Sequence, residues 1–372
     1  MKILVLSTDY PDKRRNIFVF VKQFVDELAR MGHNIQVVAP YSLTHNRRLC
    51  KQCETIHIGI GTVTIYRPFY FSFSNWRIGK FKMSSRFIRG AFRRGISMLK
   101  EQPDVVYGHF WPCAYAGYDY ARERNLPLFV ATGESVIDFR AISEKDKKFC
   151  DYLSGTICVS SKNRQESIDL GLTSEKKCVV IPNAVNPKLF HVMNRKECRR
   201  ELRLPQDVFI IIYVGWFDER KGVNRVVEAI KTIKGMPVYS IFIGGKEPLN
   251  CPNVLITDRV PHEDLPIYLN AADVFVLPTL HEGCCNAIIE ALACGLPIIS
   301  SDLPFNQDIL HKGNSILVNP IDISELASAI TLLRDDKKNR QEMSRGSLES
   351  VKELSIHSRA EKILAFIASN TE

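Results

Sequence analysis

No apolar run in the chain approaches the roughly 20 residues that a membrane-spanning helix needs. The opening MKILVLSTDYPD has neither the length nor the cleavage pattern of a secretory leader. Any membrane contact is therefore expected to be peripheral. Cys50 and Cys53 of CKQC have no second pair at finger-like distance, so they read as two loop thiols and no metal is expected. The eleven cysteines are an odd number without repeated spacing, several inside apolar stretches such as GTICVSS and EALACG. That pattern excludes a disulfide framework and points to a reducing, cytosolic compartment. No G-x-G-x-x-G follows the strand pattern KILVLST, which removes the dinucleotide-binding fingerprint. Repeats and low-complexity tracts are absent, and residues 55 to 100 contain no acid.

What is present is an alternation of short β-branched runs with helical patterns over all 372 residues, more chain than one core usually covers. The runs are KILVLST, NIQVVAP, VTIYRP, DVVYGHF, PLFVATG, GTICVSS and CVVIPNAV, then VFIIIYVG, YSIFIGG, NVLIT, DVFVLPT, PIISSD and SILVNP. Such alternation predicts an α/β protein of two doubly wound parallel sheets covered by helices. The stretch IPNAVNPKLFHVMNRKECRRELRLPQD, punctuated by Pro182, Pro187 and Pro205, reads as the linker. Expected domains are residues 1–190 and 191–355, with an amphipathic helix over 356–372 packing back on the first domain. Charge divides unevenly: residues 1–180 hold 28 Lys and Arg against 17 Asp and Glu, and the remainder 22 against 24. The basic excess predicts an anionic partner for the first half.

The chemistry concentrates in HEGCCNAIIEALACG, residues 281–295. Strand DVFVLPT leads into a turn, and AIIEALACG shows helical spacing closed by Gly295 and Pro297. In open α/β sheets, ligands sit beyond the carboxyl ends of strands, where amides opening the next helix face them. The amides of Cys284, Cys285, Asn286 and Ala287 suit phosphate oxygens, Gly283 permits close approach, and Asn286 can cap. Glu282 and Glu290 are acceptors, matched to the vicinal hydroxyls of sugars. A ligand with a ribose, a diphosphate and a hexose satisfies both needs. The acids beside a diphosphate call for a cation, and the Gly215 turn leading to Arg220, Lys221 and Gly222 at another helix start supplies one. The bland alternative makes Arg220 and Lys221 solvated loop residues.

With these residues in view, the chain resembles the retaining glycosyltransferases of the GT-B fold, specifically glycosyltransferase family 4 of the bacterial polysaccharide type. Its E-x7-E pattern stands as Glu282 and Glu290, and its G-x5-KG element as Gly215 to Gly222. VVIPNAVNPKLF, ELARMGHNIQVVAP and VYGHF fall in the family's order. The resemblance implies two Rossmann-like domains facing a cleft. It implies that Glu290 holds the ribose, Glu282 contacts the hexose, Gly283 to Ala287 touch hexose and diphosphate, and Lys221, helped by Arg220, neutralises the leaving diphosphate. It also implies retention of anomeric configuration without a metal. Three departures stand out. Trp216 replaces a common arginine, GGKEPLNCPNVLITD is short with Asp258 where glycine is frequent, and the first loop carries Arg14, Arg15 and Asn16 instead of paired glycines.

The family takes its acceptor groups from the first domain. His109, closing DVVYGHF, resembles the family's sugar-facing histidine or is a hydrogen-bonded structural residue. Glu134 either faces the acceptor or caps the helix that follows it, and Arg14 and Arg15 are further acceptor-side candidates. In NWRIGKFKMSSRFIRGAFRRGISMLK, Lys82, Arg86, Arg89, Arg93 and Lys100 project to one side at 100° per residue, with Phe81, Ile88, Phe92, Ile96 and Leu99 opposite. That face is expected to lie on an anionic membrane, the alternative being an ordinary packed helix with a solvated basic side. No nucleic-acid-binding pattern accompanies it. The expected protein is a cytoplasmic hexosyltransferase, peripheral on the inner face of the membrane. It uses a nucleotide diphosphate sugar as co-substrate and a glycan or polyprenyl-linked glycan as acceptor in polysaccharide biosynthesis. A nucleotide-sugar epimerase of the same fold and a non-catalytic sugar-nucleotide binding protein are the alternatives.

Overall fold

The computed structural model describes residues 1–12, 17–44, 50–72, 77–78, 81–139 and 143–371, with main chain only at 77–78 and 81–86. By its contacts the chain forms two compact units. The first comprises Met1–Val159, Asn163–Ile181 and Ala360–Glu372, the second Ser160–Lys162 and Pro182–Arg359.

In the first unit the strands are β1 (Lys2–Leu6), β2 (Asn34–Val38), β3 (Tyr41–Ser42), β4 (Cys53–Ile58), β5 (Gly61–Tyr66), β6 (Phe69–Tyr70), β7 (Arg77–Ile78), β8 (Phe81–Lys82), β9 (Val105–His109), β10 (Leu128–Thr132), β11 (Gly155–Cys158) and β12 (Cys178–Val180). Eight of them form one sheet in the order β12-β11-β10-β9-β1-β2-β5-β4. All its pairings are parallel except β4 with β5. The helices are α1 (Val19–Arg30), α2 (Met83–Ser97), α3 (Trp111–Glu123), α4 (Glu144–Tyr152) and α5 (Ser161–Asp169). The apolar runs of the central strands are buried on both faces, as helices above and below a parallel sheet require. Leu4, Leu6, Val106, Leu128 and Val130 meet Trp111, Tyr118 and Phe149 in one core. Each such side chain contributes about 1.5–3 kcal/mol on full burial.

The second unit holds α6 (Arg195–Glu201), β13 (Ile210–Val214), α7 (Val223–Thr232), β14 (Tyr239–Ile243), β15 (Val254–Asp258), α8 (Leu265–Ala271), β16 (Val274–Leu277), α9 (Asn286–Ala293), β17 (Ile298–Ser301), β18 (Ser315–Val318), α10 (Ile323–Asp335) and α11 (Lys337–Val351). Its sheet runs β15-β14-β13-β16-β17-β18, all parallel. Chain order reverses between β13 and β16, and that reversal is where open α/β sheets bind ligands. No helix lies between β14 and β15. The two doubly wound parallel sheets read from the sequence are thus observed.

Several local expectations change. Much of the stretch read as a linker is structured: it carries α6, and Arg199 within it is buried. Arg199 donates to Asp273 at 2.8 Å and to the carbonyls of Ala271, Gln206 and Val208. The basic helix is shorter than its periodicity suggests. Lys82 lies in β8, and α2 stops at Ser97, short of Lys100, where Met98 turns its N–H to the Gly95 carbonyl. The last helix, α12 (Ile356–Ser369), sets Phe366 edge-on to Phe129 at 6.0 Å within the first unit.

Candidate active site

Glu282 and Lys221, 61 positions apart in sequence, meet at the carboxyl ends of β13 and β16. Lys221 Nζ lies 2.6 Å from Glu282 Oε1. The same oxygen accepts from Arg220 Nη1 at 2.7 Å and from the Thr279 hydroxyl at 3.0 Å, and Arg220 also donates to the His281 carbonyl at 3.0 Å. Local backbone chemistry places these groups. Gly222 caps α7 at φ +81°, where a Cβ would stand 2.8 Å from the Pro278 carbonyl. The Leu280 amide donates to the Arg220 carbonyl at 2.8 Å, which ties the β16 loop to the β13 loop. Lys221 is buried. Burial works against its charge, yet the Cys285 sulfur and then the charge and hydrogen bond of Glu282 outweigh that and hold its pKa above the ordinary lysine value, where Cys285 too can ionise. The Cys285 thiol, Sγ at 3.9 Å from Nζ, is itself pushed up by burial and stays protonated near neutrality, so Glu282 is the effective counterion.

Glu290 is buried in the second turn of α9, and its Oε1 lies 2.8 Å from His262 Nε2. His262 sits between β15 and α8, edge-on to Phe190 at 5.1 Å. Burial pushes its pKa down, but the hydrogen bond and charge of Glu290, with Glu263 beyond, leave it raised above 6.5. A raised folded-state pKa gives stability that is complete below about 6.5 and is lost as pH climbs through the folded value. In melting experiments the advantage of wild type over His262→Gln is therefore expected to shrink from about pH 6 to about pH 8. A difference that is flat, or that grows with pH, contradicts this pairing.

The start of α9 differs from the expected one. Cys285, not Asn286, is the N-cap residue, and it makes no side-chain cap. Asn286 instead opens the helix, with its Oδ1 buried and unmatched by any hydrogen bond. Cys284 and Cys285 are buried, and the Cys284 carbonyl accepts from Asn183 Nδ2 at 3.0 Å. Behind this corner, the Gly215 amide donates to the Ile243 carbonyl at 2.9 Å, and Gly244, at φ +133°, lies so close that a Cβ there would stand 2.0 Å from the Gly215 carbonyl oxygen.

Among the first unit's candidates, His109 ends β9 among aromatic rings: Phe110 at 4.4 Å, Phe20 at 5.3 Å and Phe18 at 6.4 Å between centroids. Glu134 is mostly shielded from solvent. It accepts from the Thr132 hydroxyl at 2.7 Å and from the amides of Gly133 and Trp111 at 2.9 and 3.3 Å. Burial nevertheless raises its pKa above the usual carboxylate value. The helix whose first amide it meets, α3, precedes it in the chain. The helix that follows, α4, carries its own capping box from Ser143 and Asp146. Arg89 lies over the Tyr115 ring at 5.5 Å, and Arg93 shares Asp119 with Lys145. Arg14 and Arg15, and the side chains of Lys82 and Arg86, lie outside the described residues. Among the described residues no three His, Cys, Asp or Glu side chains gather as a metal site, and no helix is long and apolar enough to cross a membrane. Sequence reading gave no role to His262, nor to Thr279 and Asn183, although the last two lie in the quoted segments DVFVLPT and VVIPNAVNPKLF.

A family model described as "Glycosyl transferases group 1" matches residues 194–349, and one described as "Glycosyltransferase Family 4" matches residues 17–189. TuaC of Bacillus subtilis (strain 168), named for teichuronic acid biosynthesis, is 27% identical over 94% of both chains. The UDP-Gal:alpha-D-GlcNAc-diphosphoundecaprenol alpha-1,3-galactosyltransferase of Escherichia coli is 27% identical over 64% of this chain and 68% of its own. Among solved structures, sucrose-phosphate synthase of Thermosynechococcus elongatus superposes with a TM-score of 0.78 at 20% identity, covering 99% of this chain and 98% of its own. Anabaena Alr3699/HepE in complex with UDP-glucose gives 0.70 at 15% identity over 99% of this chain and 100% of its own. At those identities the likeness is one of fold.

Proposed function

The chain belongs to the GT-B glycosyltransferase superfamily, and from that premise we propose that it moves a hexose, with retention, from a nucleotide diphosphate sugar to a glycan or lipid-linked glycan in polysaccharide assembly. One observation carries the reading: two buried or half-buried carboxylates, Glu282 and Glu290, stand with Lys221, Arg220 and the opening amides of α9 along one carboxyl edge of the second sheet. Glu290, with one oxygen engaged by His262, offers its carboxylate to the ribose hydroxyls. Glu282 contacts the hexose. The unmatched Asn286 Oδ1 is a ready acceptor for a sugar hydroxyl. Lys221, kept protonated, shares its charge between Glu282 and the departing diphosphate and so stabilises the leaving group where negative charge develops. Attack on the same face then preserves configuration, and no protein nucleophile is assigned. In the first unit His109 serves the acceptor.

Teichuronic acid and diphosphoundecaprenol in the relatives' names support a lipid-carried acceptor, and the acid-free basic stretch supports an anionic membrane as its location. The test is product analysis with a panel of UDP- and GDP-hexoses, with and without lipid-linked glycan in anionic vesicles. The expected result is donor consumption only when acceptor is present, one hexose added with its anomeric configuration kept, and protein sedimenting with the vesicles. Conversion of free nucleotide sugar would instead make it an epimerase, binding without turnover a sugar-nucleotide binding protein, and failure to sediment would remove the membrane.

A further inference from the structure

We infer that Arg259, lodged over the exposed ring of Trp216, is a second phosphate-binding cation of this edge, a role that rests on the proposed donor site. The need for it follows from charge. Glu282 Oε1 already takes Lys221 and Arg220, and Arg220 also has the Asp218 carboxylate at 4.0 Å, so that corner keeps at most one positive charge, while Glu290 is engaged by His262. A nucleotide sugar brings a doubly charged diphosphate, which leaves a deficit.

The same carboxyl edge supplies the missing cation. A chain of backbone hydrogen bonds runs along it: Gly215 N–H to Ile243 at 2.9 Å, then Gly244 N–H to Asp258 at 2.8 Å. Trp216 and Arg259 are the next residues beyond the two ends of that row. The guanidinium carbon of Arg259 lies 5.3 Å from the centre of the indole. Trp216 is 60% exposed, although its carbonyl is held by the Tyr213 hydroxyl at 2.8 Å. A large aromatic so exposed on a fixed backbone serves here as a platform. Other claims on Arg259 are weak: its ion pair is with the exposed Glu247 at 4.0 Å, a solvent-screened contact. Lys246, a neighbouring cation, is drawn instead to Asp258 at 3.4 Å. A guanidinium can stack on an indole and still present its N–H fork to a phosphate, which an ammonium cannot do. On this account Trp216 positions the charge and Arg259 delivers it.

The test is calorimetric titration of whichever UDP- or GDP-hexose binds tightest, and of its free nucleoside, into wild type, Arg259→Ala, Arg259→Lys, Trp216→Ala, the Trp216→Ala/Arg259→Ala double variant and Glu290→Ala. Arg259→Ala is expected to weaken the nucleotide sugar about tenfold and leave the nucleoside unchanged. Arg259→Lys should recover part of the loss, and Trp216→Ala should add little to Arg259→Ala in the double variant. Both side chains are partly exposed, so melting temperatures should stay close to wild type. If Glu290→Ala weakens the donor while Arg259→Ala does not, the donor site stands and this inference falls. Equal losses for nucleoside and nucleotide sugar would make Arg259 a base contact and overturn its phosphate role. If wild type binds no nucleotide sugar, the donor reading fails and takes the inference with it.

Discussion

Lys221→Ala is expected to lower the turnover number by about 100- to 1,000-fold, the usual cost of deleting a group that stabilises developing charge in a sheltered site. The apparent donor constant should move far less, because the same lysine is already engaged by Glu282 before donor arrives. The protein should remain folded: Arg220 and Thr279 still hold Glu282 Oε1 at 2.7 and 3.0 Å after the lysine is gone. Lys221→Arg should restore little, since a forked guanidinium does not fit where a point charge is buried against Glu282 and Cys285. Steady-state kinetics with donor and acceptor varied separately decides the matter. A turnover number within threefold of wild type would remove Lys221 from the chemistry.

Asp273→Ala is expected to cost about 3–5 kcal/mol of stability, because it strips a buried charge of its partner. Asp273 takes Arg199 on one oxygen at 2.8 Å and Arg195 on the other at 2.7 Å, and accepts the Ile210 amide at 2.9 Å. Arg199 and Asp273 are both buried, so solvent does not easily replace their pairing, whereas Arg195 on the other oxygen is half exposed. The cluster anchors α6 to the first residue of β13, and β13 ends in the Gly215 turn that sets Trp216, Arg220 and Lys221. Its loss should therefore loosen the donor edge as well as the fold. Urea unfolding should show the midpoint of the second unit falling by on the order of 1 M. Asp273→Asn, which keeps the shape and one acceptor oxygen, should fall by less. An Asp273→Ala protein as stable as wild type would mean that the cluster is ornamental.

How far sequence carries the picture depends on where the information is stored. Buried parallel strands write themselves as β-branched runs, which is why VFIIIYVG and DVFVLPT were legible. β4 was not: CETIHI is an edge strand whose residues are mostly exposed, without the apolar run of its neighbours. Glu282, Glu290 and Lys221 were legible because the strand, turn and helix around them are local in sequence. Their partners were not, since His262 reaches Glu290, and Asn183 reaches Cys284, only through topology. The α9 cap was misjudged because Asn is a strong capping residue by type, whereas the backbone places Cys285 at the cap and Asn286 one step inside. Periodicity overran α2 for a related reason. A 100° plot records which face a residue takes and is blind to where hydrogen bonding stops. Trp216 looked like a missing charge in the sequence; the fold brings Arg259 onto its ring.

The most direct measurement is a crystal structure of the protein grown with a saturating nucleotide diphosphate sugar. The account predicts the ribose hydroxyls within hydrogen-bond distance of the Glu290 carboxylate, and the phosphates against Lys221 and the amides that open α9. Donor density elsewhere on the chain, with this edge unvisited, would contradict it.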